Sequence, residues 1–176
     1  MFGTILVPLD GTAEAEAAVP YAADEALRHN CPLVLVRVIP RPEPPPGHPS
    51  HGGPALPPPT WSPAELAQAQ QDARAYLDSV VRKYGLPPTT ELVTVVGDPL
   101  TRLLAEIQRR PAPLVVLGVA PHRPFGETGR RLLLSGAAPV LRVSAVPAGP
   151  SPTPAEQMVP PFVAPPPSSA TIESVL

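Results

Sequence analysis

Residues 5–12, ILVPLDGT, join a short apolar run to an abrupt polar turn. Ile5 to Leu9 is typical of a buried β-strand, and Asp10-Gly11 is a turn signal that ends it. Thr12 follows in the position of a helix N-cap. The stretch therefore predicts a strand that passes directly into a helix, which is the opening unit of an alternating α/β fold.

The same succession continues along the chain. Four further apolar, β-prone runs alternate with segments in which apolar residues recur at helical spacing. The sequence therefore predicts five strands joined by four helical crossovers. Strands that are apolar along their whole length indicate a parallel sheet covered on both faces. We therefore predict an α/β fold with a five-stranded, doubly wound, Rossmann-like parallel sheet. The later strands are predicted at Leu33–Ile39, Glu91–Val96, Leu114–Gly118 and Pro139–Val146, and the later helices from Ser62-Pro63-Ala64-Glu65, from Asp98-Pro99 and around Thr128–Ser135.

Several details of these helices are predicted by single residues. Pro20 should kink the first helix or delay its start. The motif Ser62-Pro63-Ala64-Glu65 is a capping box, and Gly85 is a plausible end for that helix. Arg109 and Arg110 are expected in the last turn of the next helix, where positive charge suits the helix dipole. The inward residues are predicted as Val19, Ala22, Ala23, Ala26 and Leu27, then Leu66, Ala69, Ala73, Leu77, Val80 and Tyr84, and then Leu100, Leu103, Leu104 and Ile107.

Proline divides the chain into three parts. Of its 31 prolines, eleven lie in residues 40–63 and nine in residues 147–176. Proline at this density supports neither a helix nor a central strand. We interpret residues 41–61 as a surface insertion within a domain of residues 1–146, and residues 147–176 as a disordered, proline-rich tail.

Composition excludes several classes of function. The formal net charge of −2 gives no basic field, so neither nucleic acid nor an anionic membrane is an expected partner. The apolar runs are too short to cross a bilayer, and the N-terminus lacks the pattern of a signal peptide. Cys31 is the single cysteine and is expected to act as a small hydrophobe beside a strand. These features indicate a cytoplasmic protein.

The carboxyl ends of the strands hold the candidate site residues, because ligands of open parallel sheets bind there, where the winding reverses. Asp10 follows the first strand and is either a turn residue or a ligand contact. Asp98 follows the third strand and is favoured as a helix cap. Residues 118–126 follow the fourth strand.

At these positions the chain resembles the universal stress protein family. The motifs ILVPLDGT, LVLVRVIP, VTVVGDP, LVVLG and APVLRV occur in the order and spacing of that family, over residues 4–146. The resemblance implies a doubly wound fold, a dimer and, in many members, binding of ATP or a related nucleotide. By the same resemblance, Pro8, Asp10 and the backbone of Val38 would flank the base, while Leu117 and Gly118 would approach the ribose and phosphates.

The phosphate loop of the ATP-binding members has the form G-x2-G-x9-G-[ST], and this chain departs from it. Gly118 matches the first glycine, but Pro121 stands at the second, where it offers no N–H. Gly126 matches the third glycine, and Glu127 takes the place of Ser or Thr. Residues 122–125 leave a spacer of four residues instead of nine, which is five fewer. The loop is interpreted as a cradle that has lost its ATP geometry, with His122 and Arg123 as either solvated loop residues or ligands of a shorter anion.

No catalytic motif accompanies this loop. The chain contains no GxxxxGK[ST] sequence, no HExxH sequence and no cysteine–histidine pair placed for nucleophilic attack, so no enzyme is predicted. His48 and His51 are too few to hold a metal in a loop. Residues 173–176, ESVL, resemble a C-terminal recognition motif, but such short patterns are common by chance.

The leading functional prediction is a non-enzymatic stress-response protein that acts as a dimer through contacts with an unidentified protein partner, without tight ATP binding and with no cofactor. The alternative is a sensor that binds AMP or ATP through Asp10, Gly118 and Arg123. The dimer is expected to form along the last strand, from Val140 to Val146, because an apolar edge strand tends to pair with a copy of itself.

Overall fold

The computed structural model describes residues 1–42, 61–120 and 125–144. Their strands form one five-stranded sheet in the order β3-β2-β1-β4-β5, and every neighbouring pair is parallel. The predicted doubly wound α/β fold is therefore confirmed. The sheet is built outward from β1 to β3, and the chain then crosses back to place β4 on the other side of β1. This reversal between β1 and β4 fixes where a ligand cavity is expected.

The five strands match the apolar runs of the sequence within two residues at each end. They are short because each is bounded by a turn signal, such as Asp10-Gly11 after the first. The central residues of β1, β2 and β4 are almost completely buried, as strands covered on both faces require, whereas the edge strands β3 and β5 are more exposed. The strands are β1 (Thr4–Pro8), β2 (Leu33–Ile39), β3 (Glu91–Val96), β4 (Pro113–Val119) and β5 (Val140–Ser144).

Several helices begin or end at the residues that the capping rules indicate. Ser62 and Glu65 form the predicted capping box, with hydrogen bonds of 3.2 and 2.8 Å. Gly85 ends the same helix in the left-handed conformation, with φ of 60°. Pro20 lies in the first turn of a second helix, so the predicted interruption is real and divides one helix in two. The helices are α1 (Ala13–Glu16), α2 (Val19–His29), α3 (Pro63–Tyr84), α4 (Pro99–Gln108) and α5 (Glu127–Ser135).

Two expectations about the helices are wrong. Leu27 was expected to face the core, but 77% of it is exposed. The buried stripe of α2 runs along Val19, Ala22 and Ala26, and Leu27 lies one position, or about 100° of helical rotation, beyond it. Arg109 and Arg110 do not lie in the last turn of α4, which ends at Gln108. Arg110 precedes a proline, and that position disfavours helical backbone.

The two faces of the sheet carry separate apolar clusters. One lies beneath α1, α2 and α3 and includes Ile5, Leu35 and Leu77. The other lies beneath α4 and α5 and includes Leu6 and Val115. Cys31 packs half-buried at the margin of the first cluster, and this burial raises the pKa of its thiol, as expected of a small apolar residue.

A charged cluster joins the end of α4 to the start of β3. Glu106 is only 4% exposed, and its carboxylate receives hydrogen bonds from Arg109 at 3.2 Å and from Arg110 at 3.3 Å. Arg110 also donates two hydrogen bonds to Glu91, of 2.7 and 2.9 Å. The hydrogen bonds between Glu91 and Arg110 lower the pKa of the Glu91 carboxyl and raise the pKa of the Arg110 guanidinium. The buried carboxylate is thus compensated by charge, as burial demands.

Some predictions fall on residues outside the described ranges. They include most of the proline-rich insertion, the proline-rich tail, residues 145–146 of the predicted last strand, and the pair His48 and His51. Within the described ranges, no helix has both the length and the apolar character needed to cross a membrane.

Candidate functional site

A cavity of about 410 Å³ opens at the carboxyl ends of β1, β2 and β4, where the strand order reverses. The first turns of α4 and α5 form its opposite side. Its volume lies within the range of small-molecule sites, roughly 300–1,000 Å³. The lining is mainly apolar and includes Val36, Leu103, Phe125 and Leu132.

Most of the site residues predicted from the sequence line this one cavity. They come from the ends of three strands and from the start of α5, so the fold brings distant segments together. His122 and Arg123 lie outside the described residues. The predicted residues in the lining are Pro8, Asp10, Val38, Leu117, Gly118, Gly126 and Glu127.

Asp10 holds the turn between β1 and α1. Its Oδ1 accepts hydrogen bonds from the backbone N–H of Thr12 at 2.9 Å and from the hydroxyl of Thr12 at 2.6 Å. The Thr12 hydroxyl in turn accepts from the backbone N–H of Ala15 at 3.2 Å, which caps α1. The turn interpretation of Asp10 is therefore confirmed, while the same carboxylate also borders the cavity.

Gly118 is required by packing as well as by its place in the cavity. The backbone of α1 lies directly against its Cα, so an ideal Cβ at this position would stand 2.8 Å from the carbonyl carbon of Glu14 and 2.9 Å from the Cα of Ala15. Real Cβ atoms do not approach backbone atoms this closely. Gly118 matches the first glycine of the family's phosphate loop, but the close approach of α1 to β4 is by itself enough to require a glycine here.

The start of α5 presents a carboxylate to the cavity. Gly126 is the N-cap and provides no side-chain hydrogen bond, and Glu127 is the first helical residue. Its side chain is 71% exposed and lies 3.8 Å from Arg130. A helix N-terminus attracts negative charge, and here the chain's own carboxylate supplies it.

A polar network fixes the wall of the cavity formed by β2. Arg37 donates a hydrogen bond of 3.2 Å to the carbonyl of Leu9, and its guanidinium lies 5.3 Å from the ring centre of Tyr76. The Tyr76 hydroxyl donates to Glu16 at 3.1 Å, and Lys83 lies 2.5 Å from the same carboxylate. Burial, together with the charge of Glu16, raises the pKa of Tyr76. The network connects α3 with the turn that carries Asp10.

The lining residues that the sequence analysis did not name as site residues include Arg37, Phe125 and Thr128. Arg37 had a signal, because it is the single charge within the apolar strand LVLVRVI. Phe125 had none, since its position depends on packing against Gly129 and on the guanidinium of Arg142, 5.6 Å from its ring centre.

Asp98 is a helix cap, as predicted. Its Oδ2 accepts from the backbone N–H of Thr101 at 2.9 Å and from the Thr101 hydroxyl at 2.7 Å. These hydrogen bonds lower the pKa of its carboxyl. Throughout residues 1–42, 61–120 and 125–144, no group of three histidine, cysteine or acidic side chains is placed to hold a metal.

Solved structures of universal stress proteins resemble this fold. One from Burkholderia pseudomallei has a TM-score of 0.52 and 23% identity, with 81% of this chain and 96% of that chain covered. One from Archaeoglobus fulgidus, solved with dAMP, has a TM-score of 0.50 and 18% identity, with coverage of 81% and 97%. One from Arabidopsis thaliana, with AMP bound, has a TM-score of 0.51 and 15% identity, with coverage of 85% and 97%.

No curated protein was found to match the sequence. At these identities the solved structures establish the fold alone. The family follows from the sequence profile of the universal stress protein family, which matches residues 1–148. Most of the chain is thus accounted for by one family, and this protein belongs to the universal stress protein family.

Proposed function

We propose that this protein is a non-enzymatic member of the family, which acts as a dimer through protein contacts and does not bind ATP tightly. The ATP part of the proposal rests chiefly on the short segment between Gly118 and Gly126, and the second observation is Glu127 at the first position of α5. In an ATP-binding loop of the family, a serine or threonine hydroxyl stands there. A carboxylate repels a phosphate instead of donating a hydrogen bond to it, and because this side chain is 71% exposed the repulsion is at most on the order of 1 kcal/mol.

The geometry around Gly118 supports the same proposal. The backbone of α1 lies directly against its Cα. The spacer between Pro121 and Gly126 has four residues, whereas the ATP-binding loop of the family has nine. A loop of this length has fewer backbone N–H groups to direct at a triphosphate. The cavity is therefore better suited to a ligand without a long phosphate chain.

A second function is favoured by the cavity itself. Its volume of about 410 Å³ and its apolar walls suit a planar base, and Asp10 borders it with a carboxylate that accepts hydrogen bonds. Relatives with this fold have been solved with dAMP or AMP. A sensor of AMP or a related mononucleotide is the alternative function, with His122 and Arg123 as residues that would meet its phosphate.

Calorimetric titration separates these functions. We expect the wild-type protein to show no tight binding of ATP, with or without magnesium. We expect Glu127→Ser to leave this unchanged, because a hydroxyl contributes roughly 1 kcal/mol while a short loop forfeits several backbone donors together. Insertion of the five missing residues, combined with Pro121→Gly, is expected to introduce ATP affinity.

AMP titrated under the same conditions tests the sensor, and binding of AMP without ATP would favour it over a protein that acts through contacts alone. Wild-type binding of ATP at low micromolar affinity would contradict the main proposal. It would mean that His122 and Arg123 contribute to a phosphate-binding site that differs from the family's loop.

The proposed dimer is supported by the edge of the sheet at β5. Leu141 lies on this edge strand and is 37% exposed, and the neighbouring helix α5 exposes Leu133 by 47% and Leu134 by 73%. Exposed leucines on an edge strand and on the helix that precedes it are typical of a surface buried by a partner. A second copy of the chain, paired along β5, would cover them.

Sedimentation velocity of the full chain tests the dimer. We expect the wild type to sediment as a dimer at micromolar concentration and Leu141→Lys to sediment as a monomer, because a charge would replace apolar surface that the dimer buries. Leu27→Lys is the matched control, since Leu27 is 77% exposed on α2, and it should remain dimeric. A monomeric wild type, or a dimeric Leu141→Lys variant, would contradict the proposal.

A further inference from the structure

The opposite edge of the sheet is formed by β3, whose backbone groups can be assigned a direction. The N–H of Gly97 donates to the carbonyl of Ile39 at 3.0 Å, so Gly97 faces β2. In a strand, the N–H and C=O of successive residues point to alternate sides. The backbone groups of Leu92, Thr94 and Val96 therefore point away from β2, toward the outer edge.

This edge has a sequence that favours pairing with another strand. Residues 92–96 read LVTVV and contain neither charge nor proline. All five side chains are half-buried, so the strand lies near the surface. Exposed edges of this composition are templates for strand addition unless something covers them.

Arg74 covers part of this edge. Its Nη1 donates a hydrogen bond of 3.1 Å to the carbonyl of Leu92, one of the outward groups. Its Nε lies 3.8 Å from Asp78, one turn further along α3, which helps to hold the guanidinium in this direction. The guanidinium therefore occupies an acceptor that an added strand would need.

We propose that Arg74 closes the β3 edge to a second copy of this chain. An incoming strand has to pair with the outward backbone groups of Leu92, Thr94 and Val96 in succession. It cannot reach the Leu92 carbonyl without displacing the guanidinium of Arg74. The positive charge beside the edge also opposes the approach of the partner's own Arg74. Charged side chains are a recognised means of keeping sheet edges unpaired.

The closure has a consequence for assembly, which rests on the dimer proposed above. A chain that paired through both β5 and β3 would form a sheet without an end, since each pairing leaves another edge available. With the β3 edge closed, pairing through β5 stops at two chains. The closure itself does not depend on that dimer and holds equally for a monomer.

Arg74→Met in the full-length protein tests the closure. Methionine keeps the aliphatic stem and the helix propensity but removes the donor and the charge. We expect the sedimenting mass of this variant to rise with concentration above that of the wild type, at least twofold. Arg82→Met is the matched control, an exposed arginine of the same helix, and it should sediment like the wild type. Because each mass is compared with the wild type, the result is independent of whether the wild type is a dimer.

Two further measurements locate the new contact. Amide hydrogen exchange at Thr94 and Val96 should slow with concentration in Arg74→Met and not in Arg82→Met. Adding Thr94→Pro removes an outward N–H without loss of a bond to β2, and should return the mass to that of the wild type. If that double variant fails to fold by circular dichroism, Val96→Pro makes the same test. A folded Arg74→Met with wild-type mass, or a larger mass without protection at Thr94 and Val96, would overturn the proposal.

Discussion

Replacing Gly118 with alanine is expected to lower the free energy of unfolding by about 3 kcal/mol. The added methyl group would meet the carbonyl of Glu14 and, at 2.9 Å, the Cα of Ala15. Both are backbone atoms of α1, so no side chain can rotate away. The helix would have to move off β4, and Ala15, only 7% exposed, would leave the apolar cluster with it. The measurement is a urea unfolding curve.

Gly126→Ala is the matched control, because both glycines border the same cavity. An added Cβ at Gly126 meets no atom within 4 Å, and its φ of −58° suits alanine. The expected cost is about 0.5 kcal/mol, from the weaker N-cap. Equal effects of the two substitutions would show that α1 can yield, and would contradict the packing role assigned to Gly118.

The order of the elements was predictable because each depends on local signals. Three such signals depend only on neighbouring residues and are visible in the sequence: the turn at Asp10-Gly11, the capping box at Ser62 and the left-handed helix end at Gly85. Alternation of strand and helix then leaves few topologies, since crossovers between parallel strands are nearly always right-handed. Leu27 was misplaced because helical spacing does not fix where the buried stripe ends.

The candidate site was predictable in its location and less so in its contacts. Asp10 and Gly118 follow from the rule that ligands bind at the carboxyl ends of parallel strands, and Glu127 follows from the resemblance to the family's phosphate loop. The close approach of α1 to Gly118 depends on how a four-residue helix packs, which no local pattern encodes. The contacts of Arg37 with Tyr76, and of Arg74 with Leu92, join residues 39 and 18 positions apart and needed the fold.

The charged cluster at the end of α4 gives the second large effect. Arg110→Met is expected to destabilise the protein by about 3 kcal/mol at neutral pH, because breaking a buried ion pair leaves its partner uncompensated. Glu106 is 4% exposed and would keep only Arg109, whose side chain is 76% exposed. Glu91 would lose both of its hydrogen bonds from Arg110.

A second substitution distinguishes the contribution of Glu106 to this loss of stability from that of Glu91. In Arg110→Met, adding Glu106→Gln removes the buried charge, and we expect it to recover about half of the lost stability. If Glu106→Gln recovers nothing, the buried carboxylate is not the source of the loss. The same urea curves, measured for the wild type and the two variants, provide this comparison.

The remaining loss should depend on pH through Glu91. Its pKa is lowered in the folded protein, chiefly by the hydrogen bonds from Arg110. A lowered pKa means that the stabilisation is fully present above the unfolded value, about 4.3, and is lost as the pH falls through the folded value. The wild type and the double variant should therefore converge in stability as the pH falls below the unfolded value and through the lowered folded pKa of Glu91. A difference that stays constant across this range would assign the loss to packing of the Arg110 side chain instead of its charge.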